Sequence, residues 1–222
     1  MAVTDEAILR IKEMIVSGQM PPGSRLPPEK ELSDALGLSR SSLREAVKAL
    51  EVIRVLDVRR GDGTYVTSLE PRLLHEALTF VVDLHQDDSI LEILAVRRML
   101  EPQAAAAAAQ RATAPALAAL AAAVEVSPDA DVEGLVAHDV EFHHAIAEAA
   151  GNAYLTSLLD SLSSHTVRAR VWRGITEGGS VARTIDEHRA ILAAVEDHDA
   201  ELAAALMVAH VSGVERWLRQ AL

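Results

Sequence analysis

Apolar positions recur along this chain at two different periods, and the change of period divides it. Over 29–50 the spacing is helical. Leu32, Ala35 and Leu36 share one face of a short segment over 29–36, Gly37 stands where a turn or C-cap glycine belongs, and Ser39 is placed to cap a second helix. In that second helix Leu43, Ala46, Val47 and Leu50 fall on one side. Ser41, Arg44, Glu45 and Lys48 fall on the other, with Arg40 at the amino-terminal edge. The turn between them is about three residues, the length a helix-turn-helix requires. From Ile53 to Val58 the residues become β-branched and partly alternating, 59–63 reads Arg-Arg-Gly-Asp-Gly, and 64–67 returns. This predicts a β-hairpin wing with Arg59 and Arg60 at its tip.

From Pro71 onward the helical period runs almost without interruption. Helices are predicted over 72–85, 89–111, 114–126, 131–150, 152–173, 182–197 and 199–220, broken at Pro115, Pro128, Gly151, Gly178-Gly179 and His198-Asp199. The alanine run over 104–109 is low in complexity, but alanine is the best helix former, so it reads as close helix packing. The fold class is therefore mainly α: an N-terminal winged helix-turn-helix over 1–68, then an all-α bundle of about seven helices over 69–222.

Charge falls along the same line. The net charge of −12 is distributed as ten basic and ten acidic residues in 1–68 against eleven and 23 in 69–222, and Lys12, Lys30 and Lys48 are the only lysines. A neutral module with its cations gathered on one helix and a wing can bind phosphate, while an acidic partner limits non-specific adhesion to DNA. Six aromatic residues argue against single-strand binding by base stacking. Without cysteine the chain has no disulfide, thiol catalysis or thiolate zinc site. With no apolar run near the ~20 residues of a membrane span and a polar, acidic start, it reads as a soluble cytoplasmic protein.

Candidate chemistry follows from placement. The first turn of the second helix offers free N–H groups, hydroxyls at Ser39, Ser41 and Ser42, and guanidinium groups at Arg40 and Arg44, a set suited to phosphates and to guanine edges in double-stranded DNA. By itself that spacing equally describes a solvated helix face. In the bundle, Asp139 and His143 stand one turn apart on one face, with His188 and His210 in later helices. One carboxylate and three imidazoles suit a divalent transition metal, zinc first, with nickel and manganese as alternatives, and leave room for water or an anion. Spacing alone does not bring the later histidines to the first pair. Arg97, Asn152, Arg168 and Arg170 are candidates for an acidic effector. Arg97 also stands i,i+4 from Glu101, as in a surface ion pair, and Asn152 also suits a helix cap.

The string LPPEKELSDALGLSRSSLREAVKALE followed by RRGDGTYV resembles the DNA-binding domain of the GntR family of bacterial transcription regulators. That resemblance places Lys30, Arg40, Arg44, Arg60 and Gly61 on positions that touch operator DNA. One departure is visible: where the family usually has a glycine between the recognition helix and the first wing strand, this chain has Ile53 and Arg54. The segments AVRRMLEPQAAAAAA, HDVEFHHAIAEAAGNAYL and DEHRAILAAVEDHDAELAAALMVAH resemble the effector domain of the FadR subfamily. Its metal-binding members use an Asp-x-x-x-His pair and two later histidines, which Asp139, His143, His188 and His210 match individually, and the resemblance puts Arg97 on the pocket side.

What these features imply together is a dimeric, metabolite-responsive repressor, not an enzyme, whose operator binding is modulated by a small organic acid at a metal site. The alternative is a metal-dependent enzyme using the Asp/His site, against which stands the lack of a G-x-S-x-G or H-E-x-x-H motif.

Overall fold

The computed structural model describes residues 3–71, 90–125 and 131–221. The chain separates into two compact units, 1–73 and 74–222, where the sequence reading put the change at 68–69.

The first unit opens with α1 (Val3–Val16), followed by α2 (Glu29–Leu36), α3 (Arg40–Val52) and the antiparallel strands β1 (Leu56–Arg59) and β2 (Gly63–Val66). Helix α1 has no counterpart in the sequence reading, although Ala7 and Ile11 stand one turn apart and both are fully buried. They join Leu32, Leu43, Ala46, Leu50, Leu56 and Val66 in one apolar core. That core fixes which face of α3 points inward and so leaves the polar face outside.

Helix ends in this unit share one device. At α2, Gly37 turns left-handed (φ 65°), its N–H reaches Asp34 O at 3.3 Å and the next N–H reaches Ser33 O at 3.0 Å. The end of α3 is built the same way around Arg54 (φ 60°), with Arg54 N to Glu51 O at 3.0 Å and Val55 N to Leu50 O at 2.9 Å. The corner that the family usually fills with glycine thus keeps its shape with an arginine in it. It also corrects the wing: Ile53 and Arg54 belong to the helix cap, so β1 begins at Leu56. Arg59 pairs with Gly63 in the ladder, which narrows the turn to 60–62. A Cβ at Gly63 (φ 153°) would lie 2.5 Å from Nε of Arg25, so this glycine leaves room for an arginine packed across the hairpin.

The second unit is helical throughout its described residues: α4 (Ile90–Arg111), α5 (Ala114–Val124), α6 (Val132–Ala149), α7 (Ala153–His165), α8 (Val167–Thr176), α9 (Ser180–Glu196) and α10 (Ala200–Ala221). The helix predicted over 72–85 and the break at Pro128 lie outside the described residues. The single helix predicted over 152–173 is two helices, parted at Thr166 (φ −94°, ψ 0°). Ala104, Ala105, Ala108 and Ala109 are fully buried, and their small side chains let α4 lie close along α10. Phe142, Ile146, Ile191 and Met207 fill the space between α4, α6, α9 and α10.

A left-handed backbone costs a residue with a Cβ roughly 1–2 kcal/mol that glycine does not pay. Arg54→Gly is therefore expected to raise the stability of the winged unit by up to about 1 kcal/mol in urea denaturation. A loss of stability would mean that the Arg54 side chain contributes more than its backbone strain costs.

Candidate metal centre and nucleic-acid interface

Three helices deliver four side chains to one buried point in the second unit. Helix α6 carries Asp139 and His143 one turn apart, α9 carries His188 and α10 carries His210, and one ligand atom from each lies within 4.8 Å of all the others. The Nε2 atoms of His188, His143 and His210 stand 3.4, 3.8 and 4.0 Å from Asp139 Oδ1, and the Nε2 atoms of His143 and His210 are 3.2 Å apart. Two ligands bonded to one zinc at about 2.1 Å in a tetrahedral arrangement lie about 3.4 Å from each other, so these separations suit a shared cation. All four residues are buried, His188 completely.

Whether the residues fit a metal is decided by what else could satisfy them. Neither ring nitrogen of His188 has a hydrogen-bond partner, an arrangement that costs free energy in a buried site unless something else occupies the lone pair. Its ring is clamped instead by Phe142, stacked at 3.8 Å and 13°. Donor chemistry and spacing both fit a divalent cation.

A second layer of ionised groups surrounds the four. Glu101 Oε2 lies 2.7 Å from His143 Nδ1, and Glu101 Oε1 accepts from Arg97 Nε at 2.5 Å. Glu187 Oε2 lies 2.7 Å from His210 Nδ1. Arg170 donates to Asp139 Oδ2 and, through Nη2, to Ser163 O at 2.6 Å and Thr166 Oγ1 at 3.0 Å. Burial opposes charge on Glu101 and Asp139, but Arg97 beside one and Arg170 beside the other hold both carboxyls below the usual carboxylate range. Burial likewise lowers His143, and lowers His188 to about 4, which keeps these imidazoles neutral at pH 7, the form that binds metal.

The residues proposed for an effector part company. Arg170 lines a cavity of about 50 Å³ beside Asp139, together with His138, Arg173, Ser180 and Thr184 and an apolar side formed by Val136 and Ile185. Arg97 does not line it: the guanidinium reaches Glu101 and, through Nη1, Thr166 Oγ1 at 2.7 Å, so the i,i+4 pair forms, but buried rather than on the surface. Asn152 is exposed and caps α7, accepting from Tyr154 N and Leu155 N at 3.2 Å. Arg168 is exposed, while Arg173, which sequence reading passed over, is buried.

In the winged unit Ser39 caps α3 by accepting from Ser42 N at 3.1 Å, and its hydroxyl lies within 2.9 Å of those of Ser41 and Ser42. Lys30, Ser39, Arg40, Ser41, Arg44, Arg60 and Gly61 are exposed and Ser42 is half-buried. Arg44 pairs with Glu29 at 3.2 Å and Lys48 with Glu45 at 3.1 Å, both in solvent, where such pairs exchange readily for phosphate. Arg59 lies over the Tyr65 ring and bonds Asp57, and Arg25 bonds Asp62 O at the wing turn.

Residues 3–66 match the profile described as bacterial regulatory proteins, gntR family, and residues 92–213 match the FCD domain. The HTH-type transcriptional regulator LutR of Bacillus subtilis is 30% identical over 209 residues, 91% of this chain and 94% of its own length. The chain belongs to the GntR family, with an FCD effector domain. The Galactonate operon transcriptional repressor of Escherichia coli is 31% identical, over 93% of each chain. The solved structure of Streptococcus agalactiae GntR superposes with a TM-score of 0.70 at 27% identity, over 96% of this chain and 99% of its own. GntR regulators bind DNA and small effector molecules, and among the described residues no helix is long and apolar enough to cross a membrane.

The neutral histidines give the regulator a pH signature. With folded values below the ordinary 6.5, and about 4 for His188, the metal-free native state holds fewer protons than the unfolded chain between those limits. Stability is then complete above pH 6.5 and lost as pH falls toward about 4, where Asp139 and Glu101 add a further loss. Both tryptophans, Trp172 and Trp217, are in the helical unit, so urea denaturation followed by their fluorescence reports that unit. The midpoint is expected to fall steadily from pH 7 to pH 4.5, and a flat profile would contradict the assignment of neutral, buried imidazoles.

Proposed function

We propose that this GntR-family chain is a cytoplasmic, homodimeric repressor that releases a palindromic operator when a small monocarboxylic acid binds beside a metal held by Asp139, His143, His188 and His210. The observation that carries the reading is the convergence of those four buried ligand atoms in an effector domain joined to a winged helix-turn-helix. A bound cation would supply a Lewis-acidic site for an effector oxygen. Zinc suits the three imidazoles and one carboxylate best, with nickel and manganese as alternatives.

Charge supports the class of ligand. Asp139, Glu101 and Glu187 contribute three negative charges and Arg97 and Arg170 two positive ones, so a divalent cation turns a net −1 into +1. One carboxylate neutralises that excess. Arg170, already bound to Asp139 at the cavity wall, is the guanidinium best placed to meet it, with Arg173 on the same wall. The cavity has room for a few waters, so entry of an acid requires these side chains to move. The operon that one relative represses is named for galactonate, a monocarboxylic sugar acid of this class.

On DNA, α3 would enter the major groove with Arg40 and Arg44 at base edges or phosphates, while Lys30, Ser39, Ser41, Ser42, Arg60 and Gly61 contact the backbone. A dimer sets the distance between two such helices, so a modest rotation costs contacts at one half-site.

The test uses a duplex selected by the protein from a random-sequence pool. The selected site is expected to be palindromic, and Arg40→Ala and Arg44→Ala are each expected to weaken binding by roughly 1–3 kcal/mol in anisotropy titrations. An aldonate or 2-hydroxy acid with zinc should release the duplex from wild type and not from His143→Ala. Wild-type affinity in the Arg40/Arg44 double variant would overturn the reading head. A monomer in sedimentation at micromolar concentration, with and without the duplex, would overturn the dimer.

A further inference from the structure

The two carboxylates behind the metal-binding histidines have a chemical consequence for the lone pairs in front of them. A histidine presents two different nitrogens, and which one carries the proton is set by what the other faces. His143 Nδ1 faces Glu101 Oε2 at 2.7 Å and His210 Nδ1 faces Glu187 Oε2 at 2.7 Å. An ionised carboxylate only accepts, so in the bond to Glu187 the hydrogen belongs to Nδ1 of His210; His143 Nδ1 and Glu101 Oε2 stand at ion-pair distance without hydrogen-bond geometry, and there the carboxylate charge favours the hydrogen on Nδ1. The Nε2 atoms of both rings are then bare lone pairs, and they point at each other across 3.2 Å with Asp139 Oδ1 within 4.0 Å of both. This is a cluster of acceptors with no donor among them.

We propose that Glu101 and Glu187 are positioning residues that lock His143 and His210 in the tautomer presenting Nε2 to the centre, and that the affinity of the centre for a cation depends on these two side chains. The inference rests on the metal reading above and goes beyond the four ligands. The two carboxylates are supported differently. Glu101 is nearly fully buried on α4, and its charge is balanced by Arg97 one turn away on the same helix. Arg97 thereby acts on the metal site at two removes, through Glu101 and His143, without lining the cavity. Glu187 precedes the ligand His188 on α9 and reaches His210 on α10 while keeping about a third of its side chain in solvent. Consecutive helical residues point about 100° apart, so His188 can face the centre while Glu187 clasps a neighbouring ligand from outside. His188 has no carboxylate behind it, and Phe142 holds its ring by stacking. Two of the three imidazoles are thus fixed electrostatically and the third by packing.

Outer-shell partners of metal-binding histidines typically change metal affinity about 10–100-fold. The decisive protein is full-length Glu187→Ala, since a partly exposed carboxylate can be removed without opening the core. Glu187→Gln, which retains an acceptor for Nδ1–H, and Glu101→Gln accompany it. Cobalt(II) titration by visible absorption is expected to give Glu187→Ala a dissociation constant at least tenfold weaker than wild type, with altered d–d bands, and Glu187→Gln should recover most of the affinity. Long-range 15N NMR of the zinc-loaded wild type should show protonated Nδ1 and metal-bound Nε2 at His143 and His210, with the His210 pattern lost or mixed in Glu187→Ala. A merely structural role would lower the metal-free melting temperature and leave the cobalt spectrum and tautomer unchanged; that result overturns the proposal. If wild type binds cobalt tightly and Glu187→Ala matches it within threefold, the positioning role fails while the metal site stands. If wild type binds neither cobalt nor zinc, the metal reading and this inference fail together.

Discussion

Lone pairs aimed at a common buried point repel one another, and the helical unit holds three of them there, on His143, His210 and Asp139, with His188 beside them. The effect is strong because the site is dry: electrostatic repulsion that water would screen acts through a medium of much lower polarisability. Five helices share the work. Helices α6, α9 and α10 bring Asp139 and the three histidines, α4 brings Glu101 with its arginine, and α8 brings Arg170 to the far oxygen of Asp139. The same helix α4 lies close along α10 through its buried alanines and packs against α6, where Glu101 stands behind His143.

The winged unit obeys a simpler constraint, a single apolar core under one helix face. Its chemistry lies on the outside, where charge pairs such as Arg44 with Glu29 are weak and exchangeable. One unit therefore presents loosely held cations to a polyanion, and the other buries tightly held charges around a small centre. The division of net charge along the chain is the sequence-level trace of that difference.

Much of this was legible before any coordinates. Helical periodicity located five of the seven described later helices to within a few residues and ran α7 and α8 together, and the i,i+4 spacing of Asp139 and His143 put them on one face. What escaped has physical reasons. Glu101 looked like half of a solvated pair because a charge in an alanine-rich helix carries no sign of the face it occupies; only packing against α6 makes it a partner of His143. Glu187, beside a histidine in a polar stretch, gave no signal for the same reason. The wing was read as starting at Ile53 because β-branched residues there suggested a strand, and the cap that claims them is built on an arginine where glycine would have marked it. Arg25, far from the hairpin in sequence, is drawn to it by the backbone bridge to Tyr65 and by its guanidinium on Asp62 O.

The break between α7 and α8 carries neither glycine nor proline, and at it stands a hydroxyl whose valence is fully used. A hydroxyl oxygen has two lone pairs and one hydrogen. At Thr166 all three are used: Oγ1 accepts from Arg97 and from Arg170 and donates to Ser163 O. The residue is fully buried, so no water can stand in for a missing partner. Among the twenty side chains only serine offers the same two acceptors and one donor in that volume. Position 166 is consequently a bottleneck for sequence drift: the surrounding helices can exchange one apolar residue for another, while the saturated oxygen that joins the two buried guanidinium groups leaves the chain a choice of two.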